Sequence, residues 1–180
     1  NRYIIYNNRA NIWYYGQLNR TTWLDAGINE FPLATANGYI YNHERGTDDG
    51  QPLGATSLPI TAYIESAFVD IDDGEFYMLT KRIIPDVDFT ASDPAVTPEV
   101  DMSVAVTKFP GAATSVSDVG GVPLTRNVVT TAGTISQYTN EVFLRARGRQ
   151  ISFKITSDTL GTQWQLGDTR LDAKPDGLRG

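Results

Sequence analysis

The chain contains no cysteine, a single histidine (His43) and two methionines among its 180 residues. Without cysteine there is no disulfide, no thiolate metal site and no cysteine nucleophile, so stability must come from packing and partners, as suits folding in a reducing compartment. A Ser-His-Asp triad would have to use His43, and no Gly-x-Ser-x-Gly elbow occurs. His43-Glu44 does not extend to a helical His-Glu-x-x-His zinc site, because the second histidine would fall where Thr47 stands. No phosphate-cradling loop and no dinucleotide fingerprint is present, so no metal and no cofactor is expected. Long apolar runs are missing too. Tyr39 to Tyr41 and Ile83 to Ile84 are far shorter than the roughly 20 residues that span a bilayer, and no membrane segment is expected. The sequence opens without Met or a leader pattern, inside an expected strand from Arg2 to Tyr6, so further sequence upstream is expected.

What is present is globular: 41% apolar and 20% charged residues, with a net charge of -6. That balance can build a core and disfavours nonspecific nucleic-acid clamping, which needs many phosphate-neutralising cations. The charge is segregated. Residues 65 to 101 hold ten acids against Lys81 and Arg82, whereas 141 to 180 hold seven bases against five acids. Solvated faces on separate strands account for this, and so do opposed faces on neighbouring subunits.

Helical spacing of apolar residues is hard to find, while 16 Gly, 9 Pro and many Thr, Val and Ile punctuate short strand-like runs. The expected class is all-β. Tyr3-Ile4-Ile5-Tyr6-Asn7 and Tyr39-Ile40-Tyr41-Asn42 echo each other, with Ile-Tyr-Asn cores 35 positions apart, close to a propeller-blade repeat, although an ordinary pair of hairpins explains them as well. Residues 1–45 are therefore read as β-hairpins from the end of a β-propeller, and 46–59 as a Gly, Asp, Thr, Ser and Pro connector. Residues 60–180 are read as an antiparallel β-sandwich-like domain, a barrel having similar local signals. Val100, Met102, Val104 and Val106 alternate with polar or small residues, as do Ile151, Phe153 and Ile155. The segments 60–71 and 75–84 are apolar on both parities, as expected of strands covered on both sides. Phe109 to Gly121, with Pro110, Gly111 and Gly120, is expected to be a surface loop.

Three clusters are candidates for chemistry or contact. Asp70-Ile71-Asp72-Asp73-Gly74-Glu75 resembles a calcium loop, but its Gly comes one position early and Lys81 occupies the place of the closing Glu, so a polar turn is expected, with Gly74 at positive φ. Carboxylates are numerous, but nothing nominates a glycosidase pair. Arg145, Arg147 and Arg149 share a parity and could present three guanidinium groups on one strand face. However, Val142, Leu144 and Ala146 set an even buried phase and Ile151, Phe153 and Ile155 an odd one, so a turn or bulge is expected near Gly148, leaving Arg149 at the break. These arginines are read as exposed groups paired with carboxylates, as a subunit contact, or as facing a nucleic-acid channel. Trp13, Trp23 and Trp164 are candidates for stacking on sugar rings, with core packing as the competing account.

The phrases Leu144-Arg145-Ala146-Arg147-Gly148-Arg149-Gln150-Ile151-Ser152-Phe153-Lys154-Ile155, Trp164-Gln165-Leu166-Gly167-Asp168, Arg170-Leu171-Asp172 and Pro175-Asp176-Gly177 together resemble the tail nozzle, or tail hub, proteins of short-tailed bacteriophages (tail tubular protein B-like). Thr22-Trp23-Leu24-Asp25, the run from Gly38 to Glu44, Ala62 to Ser66 and Lys81 to Asp86 add to the resemblance in order. Residues 91–99 have no counterpart in it. The resemblance implies a virion structural protein, not an enzyme. It implies a subunit of a typically sixfold ring, assembled in the host cytoplasm, with the adaptor and tail fibres or spikes as neighbours. DNA would pass through the lumen without sequence-specific binding. The alternative from another class is a β-sandwich carbohydrate-binding module.

Overall fold

Residues with period-two alternation hydrogen-bond into strands along most of the chain, and Gly- and Asn-containing turns separate them. The computed structural model describes residues 2–50, 56–107, 117–119, 122–124 and 127–178. Among these the only helical element is one 3-10 turn, Asp72–Gly74; the class is all-β and every strand pairing is antiparallel. The chain divides into two compact units. Residues 1–46 and 50–57 form the first, and residues 47–49 and 58–180 the second.

Unit 1 holds β1 (Arg2–Asn7), β2 (Ile12–Gln17), β3 (Thr22–Leu24), β4 (Leu33–Ala36) and β5 (Tyr39–Asn42), arranged as a β1-β2 ribbon and a β3-β4-β5 sheet. The ribbon's turn is held by Asn7, whose Oδ1 accepts from the backbone N–H groups of Arg9 and Ala10, while the Tyr6 hydroxyl donates to Asn11 Oδ1. Asn37 (φ 53°) and Gly38 (φ 81°) make the two-residue β4–β5 turn, the Asn-Gly pairing whose left-handed backbone matches the twist of a hairpin. Among the described residues of this unit, only Ala34 and Ala36 are buried hydrophobics.

Unit 2 begins with β6 (Asp48–Asp49), β7 (Leu58–Pro59) and β8 (Ala62–Glu65), and continues with β9 (Phe76–Ile84), β10 (Val87–Asp88) and β11 (Glu99–Thr107). Then come β12 (Ser117–Val119), β13 (Val122–Leu124), β14 (Asn127–Ser136), β15 (Val142–Gly148), β16 (Gln150–Ser157), β17 (Gln165–Leu166) and β18 (Arg170–Leu178). Two sheets dominate, ordered β14-β11-β16-β8 and β15-β9-β18. The alternating face of β11 meets that of β16 with Val104 opposite Phe153 and Val106 opposite Ile151. Met78, Ile83, Val142 and Ala146 from the three-stranded sheet join Val100, Met102, Val104, Val106, Ile135, Ile151 and Ile155 from the four-stranded one in a single buried cluster. Removing that apolar area from water is the main stabilising term, at about 25 cal/mol per Å².

Two expectations change. The segment 60–71, apolar on both parities, does not form a strand covered on both sides. Only Ala62–Glu65 is strand, and it lies exposed at the edge of its sheet, with Tyr63 and Ile64 open to solvent. The pattern reports a surface able to be covered, and among the described residues nothing covers it. Of the expected loop at 109–121, residues 109–116 and 120–121 lie outside the described residues, and 117–119 form β12 paired with β13. Residues 51–55 of the connector also lie outside them; its two ends pair as β6 and β7.

Candidate functional site

The three arginines occupy three different environments. β15 pairs with β9 while β16 pairs with β11 and β8, so the chain passes from one sheet to the other between Gly148 and Gln150. The phase change read from the sequence at Gly148 is this passage. Gly148 is required there because a Cβ would overlap Val106 Cγ1 and stand 2.7 Å from the Thr107 carbonyl oxygen. The Arg149 N–H donates to that same carbonyl at 2.8 Å, which fixes the corner to the end of β11.

Arg149 turns inward and is 8% exposed. Its Nε donates to the Gly74 carbonyl at 2.6 Å and its Nη2 donates to the same oxygen. The guanidinium thus clamps the Asp70–Glu75 turn, where Gly74 has φ 73°, as a polar turn there requires. Gln150 Nε2 adds a bond to Asp70 Oδ2 at 3.1 Å. No group of carboxylates or histidines suited to a metal ion occurs among the described residues.

Arg147 is exposed and paired: its Nε lies 2.6 Å from Asp176 Oδ2, its Nη2 donates to the Asp176 carbonyl, and its guanidinium lies over the Tyr77 ring at 4.5 Å. Arg145 is exposed and has no polar partner among the described residues. Phe143, on the same strand, is 73% exposed. Arg82, opposite Phe143, lies between Glu141 at 2.9 Å and Asp172 at 3.4 Å. Two of the three sequence candidates therefore have structural partners, and the three do not form one ladder.

The tryptophans also divide. Trp164 packs against the buried cluster of unit 2 and helps line a recess of about 30 Å³ with Asp88, Thr90 and Gln163, room for about one water molecule. In that recess the Thr90 hydroxyl and N–H both donate to Asp88 Oδ1, and the hydroxyl bond foremost holds the carboxyl below its ordinary range. Trp13 and Trp23 are 65% and 58% exposed. Trp13 lies against Tyr6 with ring centroids 4.6 Å apart, on a ribbon face that also carries Ile4 and Tyr15. The other face carries Tyr3, Ile5, Ile12 and Tyr14, so the ribbon is apolar on both sides.

One cluster has no signal in the sequence. Arg20 and His43, 23 positions apart, meet with Arg20 Nε 2.9 Å from His43 Nε2. The Arg20 guanidinium lies over Tyr41 at 4.3 Å, and the imidazole lies 4.4 Å from the Trp23 ring. The fold makes these neighbours because Trp23 and Tyr41 both stand opposite Ala34, on either side of β4.

Compared with protein-family models and with curated proteins, the chain matches none. No helix among the described residues is long and apolar enough to cross a membrane.

Proposed function

We propose that the chain is a structural subunit of a tail nozzle or hub of a short-tailed bacteriophage, part of a ring through which DNA leaves the particle. The observation that carries this reading is the ordered set of phrases from Thr22 to Gly177. On this reading the two large sheets of unit 2 are the layers of a β-sandwich, and unit 1 is propeller-derived. The two-faced apolar ribbon supports it physically. A lone two-stranded hairpin is at best marginally stable in water, and stacked neighbouring sheets would cover both of its faces. The subunit's role is scaffolding rather than catalysis. Its partners are further copies in a ring, the adaptor, and tail fibres or spikes, and its location is the virion. Closed rings use two different complementary patches on each chain. Labelling of this chain in purified particles, imaged by electron microscopy, is expected to decorate a ring at the distal end of the tail; ring density lacking the label sinks the proposal.

A second reading, a carbohydrate-binding module, is favoured by the exposure of Trp13 and Trp23, since exposed indoles stack on sugar rings. Glycan-array binding that is lost in Trp13→Ala and Trp23→Ala would select it.

A further inference from the structure

The β15-β9-β18 sheet of unit 2 sets one face against the core and leaves the other open. Met78, Thr80 and Ile83 of β9 are buried, and both pairings of β9 skip Lys81, a bulge that leaves Lys81 and Arg82 together on the open side. The acids of that face are engaged: Asp172, with Glu141, holds Arg82, and Asp176 holds Arg147. Asp86, two residues beyond β9, accepts from the Asp168 N–H at 3.1 Å. Lys81, Arg145, Arg170 and Lys174 are exposed and have no ion pair among the described residues. Exposed Phe143, opposite Arg82, adds an apolar anchor to a face with a cationic surplus.

The opposite charge stands at the start of β9. The turn that leads into Phe76 carries Asp70, Asp72, Asp73 and Glu75, all exposed, and among the described residues only the Asp70 side chain accepts a hydrogen bond, from Gln150. Arg149, bonded to the Gly74 carbonyl, fixes the conformation of that turn. Lys174 stands opposite Leu79 and Arg170 opposite Ile84. Along a strand that rises about 3.3 Å per residue, the unpaired cations therefore begin about 10 Å from Phe76 and extend to about 25 Å from it. One chain thus carries both halves of an ionic contact, beyond ion-pair reach of each other.

We propose that the open face of β15-β9-β18 receives the acidic 70–75 turn of a second copy of this chain, head to tail, with the carboxylates on Lys81, Arg145 and Lys174 and with Phe143 covered. Two different complementary patches on one chain are what a closed ring of identical subunits requires. A long polyanion would meet the field of the whole chain, whose net charge is -6, whereas a short acidic turn meets the cationic face alone. The inference deepens the ring-subunit reading by naming its contact, and it rests on that reading for the choice of a second copy.

The test is sedimentation velocity of the whole chain at low and high salt. The wild type is expected to self-associate, with a dissociation constant that rises about tenfold or more between about 0.05 M and about 0.5 M salt. Arg145→Glu with Lys174→Glu is expected to stay monomeric, and so, separately, is Asp73→Asn with Glu75→Lys; asparagine tolerates the left-handed backbone of Asp73 (φ 53°). Mixed together, the two variants are expected to pair, because each retains the half that the other has lost, and pairing also shows that both are folded. A monomeric wild type overturns the inference, and so does self-association that survives in either variant. Salt-sensitive binding of a single-stranded DNA oligonucleotide by a monomeric wild type, lost in Arg145→Glu with Lys174→Glu, assigns the face to nucleic acid and overturns it as well. The ring reading is judged separately by the labelled particle: a labelled ring together with variants that still associate means that the subunits meet through other surfaces.

Discussion

Unit 1 and unit 2 are built from similar short apolar strands, yet among the described residues only those of unit 2 enclose a hydrophobic core. In unit 2, β11 shows alternate residues fully buried, with Met102 and Val104 at 0% exposure; in unit 1 every residue of β1 is exposed, and Ile4 reaches 72%. The difference lies in layers rather than composition. Unit 2 has two sheets whose apolar faces meet, whereas the ribbon of unit 1 has two apolar faces whose large side chains stay exposed. Strand formation follows from local pattern, but hydrophobic stabilisation begins only when a second layer removes the pattern from water.

The comparison can be broken by the same truncation in both units. Ile155→Ala should cost about 3 kcal/mol in chemical denaturation of the isolated chain, as large-to-small core changes do. Ile4→Ala should cost less than about 0.5 kcal/mol, as is usual for exposed sites. A cost for Ile4→Ala matching that of Ile155→Ala would mean that the ribbon is covered in solution.

Gly148→Ala should destabilise unit 2 by about 2 kcal/mol through overpacking against Val106 and Thr107, while leaving the β1-β2 ribbon's amide exchange unchanged. Arg149→Met removes both donors from the Gly74 carbonyl; denaturation should show a loss of about 1–3 kcal/mol, the range for a buried acceptor left without its partner. Arg147→Ala, by contrast, breaks an exposed pair, and a double-mutant cycle with Asp176→Ala should give a coupling of about 0.5 kcal/mol that shrinks in high salt. The smallest effect concerns Asp88. Its carboxyl is held below its ordinary value, so its contribution is present above the unfolded value of 3.8 and is lost as pH falls through the lower folded value. Thr90→Val should flatten that slight acid dependence in denaturation midpoints.

Arg149 shows how far linear reading reaches. The clash of buried phases around Gly148 requires a break there, and the structure has a crossing between two sheets at that point. That Arg149 folds inward onto Gly74 is not readable, because Gly74 lies 75 positions away. The pairing of Arg147 with Asp176 follows from β15 and β18 flanking β9, an order no local pattern encodes. The two-parity apolar segment at 60–71 misled for a related reason. It measures readiness for burial, and β8 sits at an open edge.

By itself, then, the sequence determined the all-β class, the polar turn at Asp70–Glu75 and the break at Gly148, since each follows from side-chain alternation, turn chemistry or a glycine's missing Cβ over a few neighbouring residues. The tertiary structure alone decided which strands share a sheet, which apolar faces find a second layer, and that Arg20 meets His43. Those outcomes depend on contacts between distant parts of the chain, where packing and hydrogen-bond geometry, rather than local preference, select the partner.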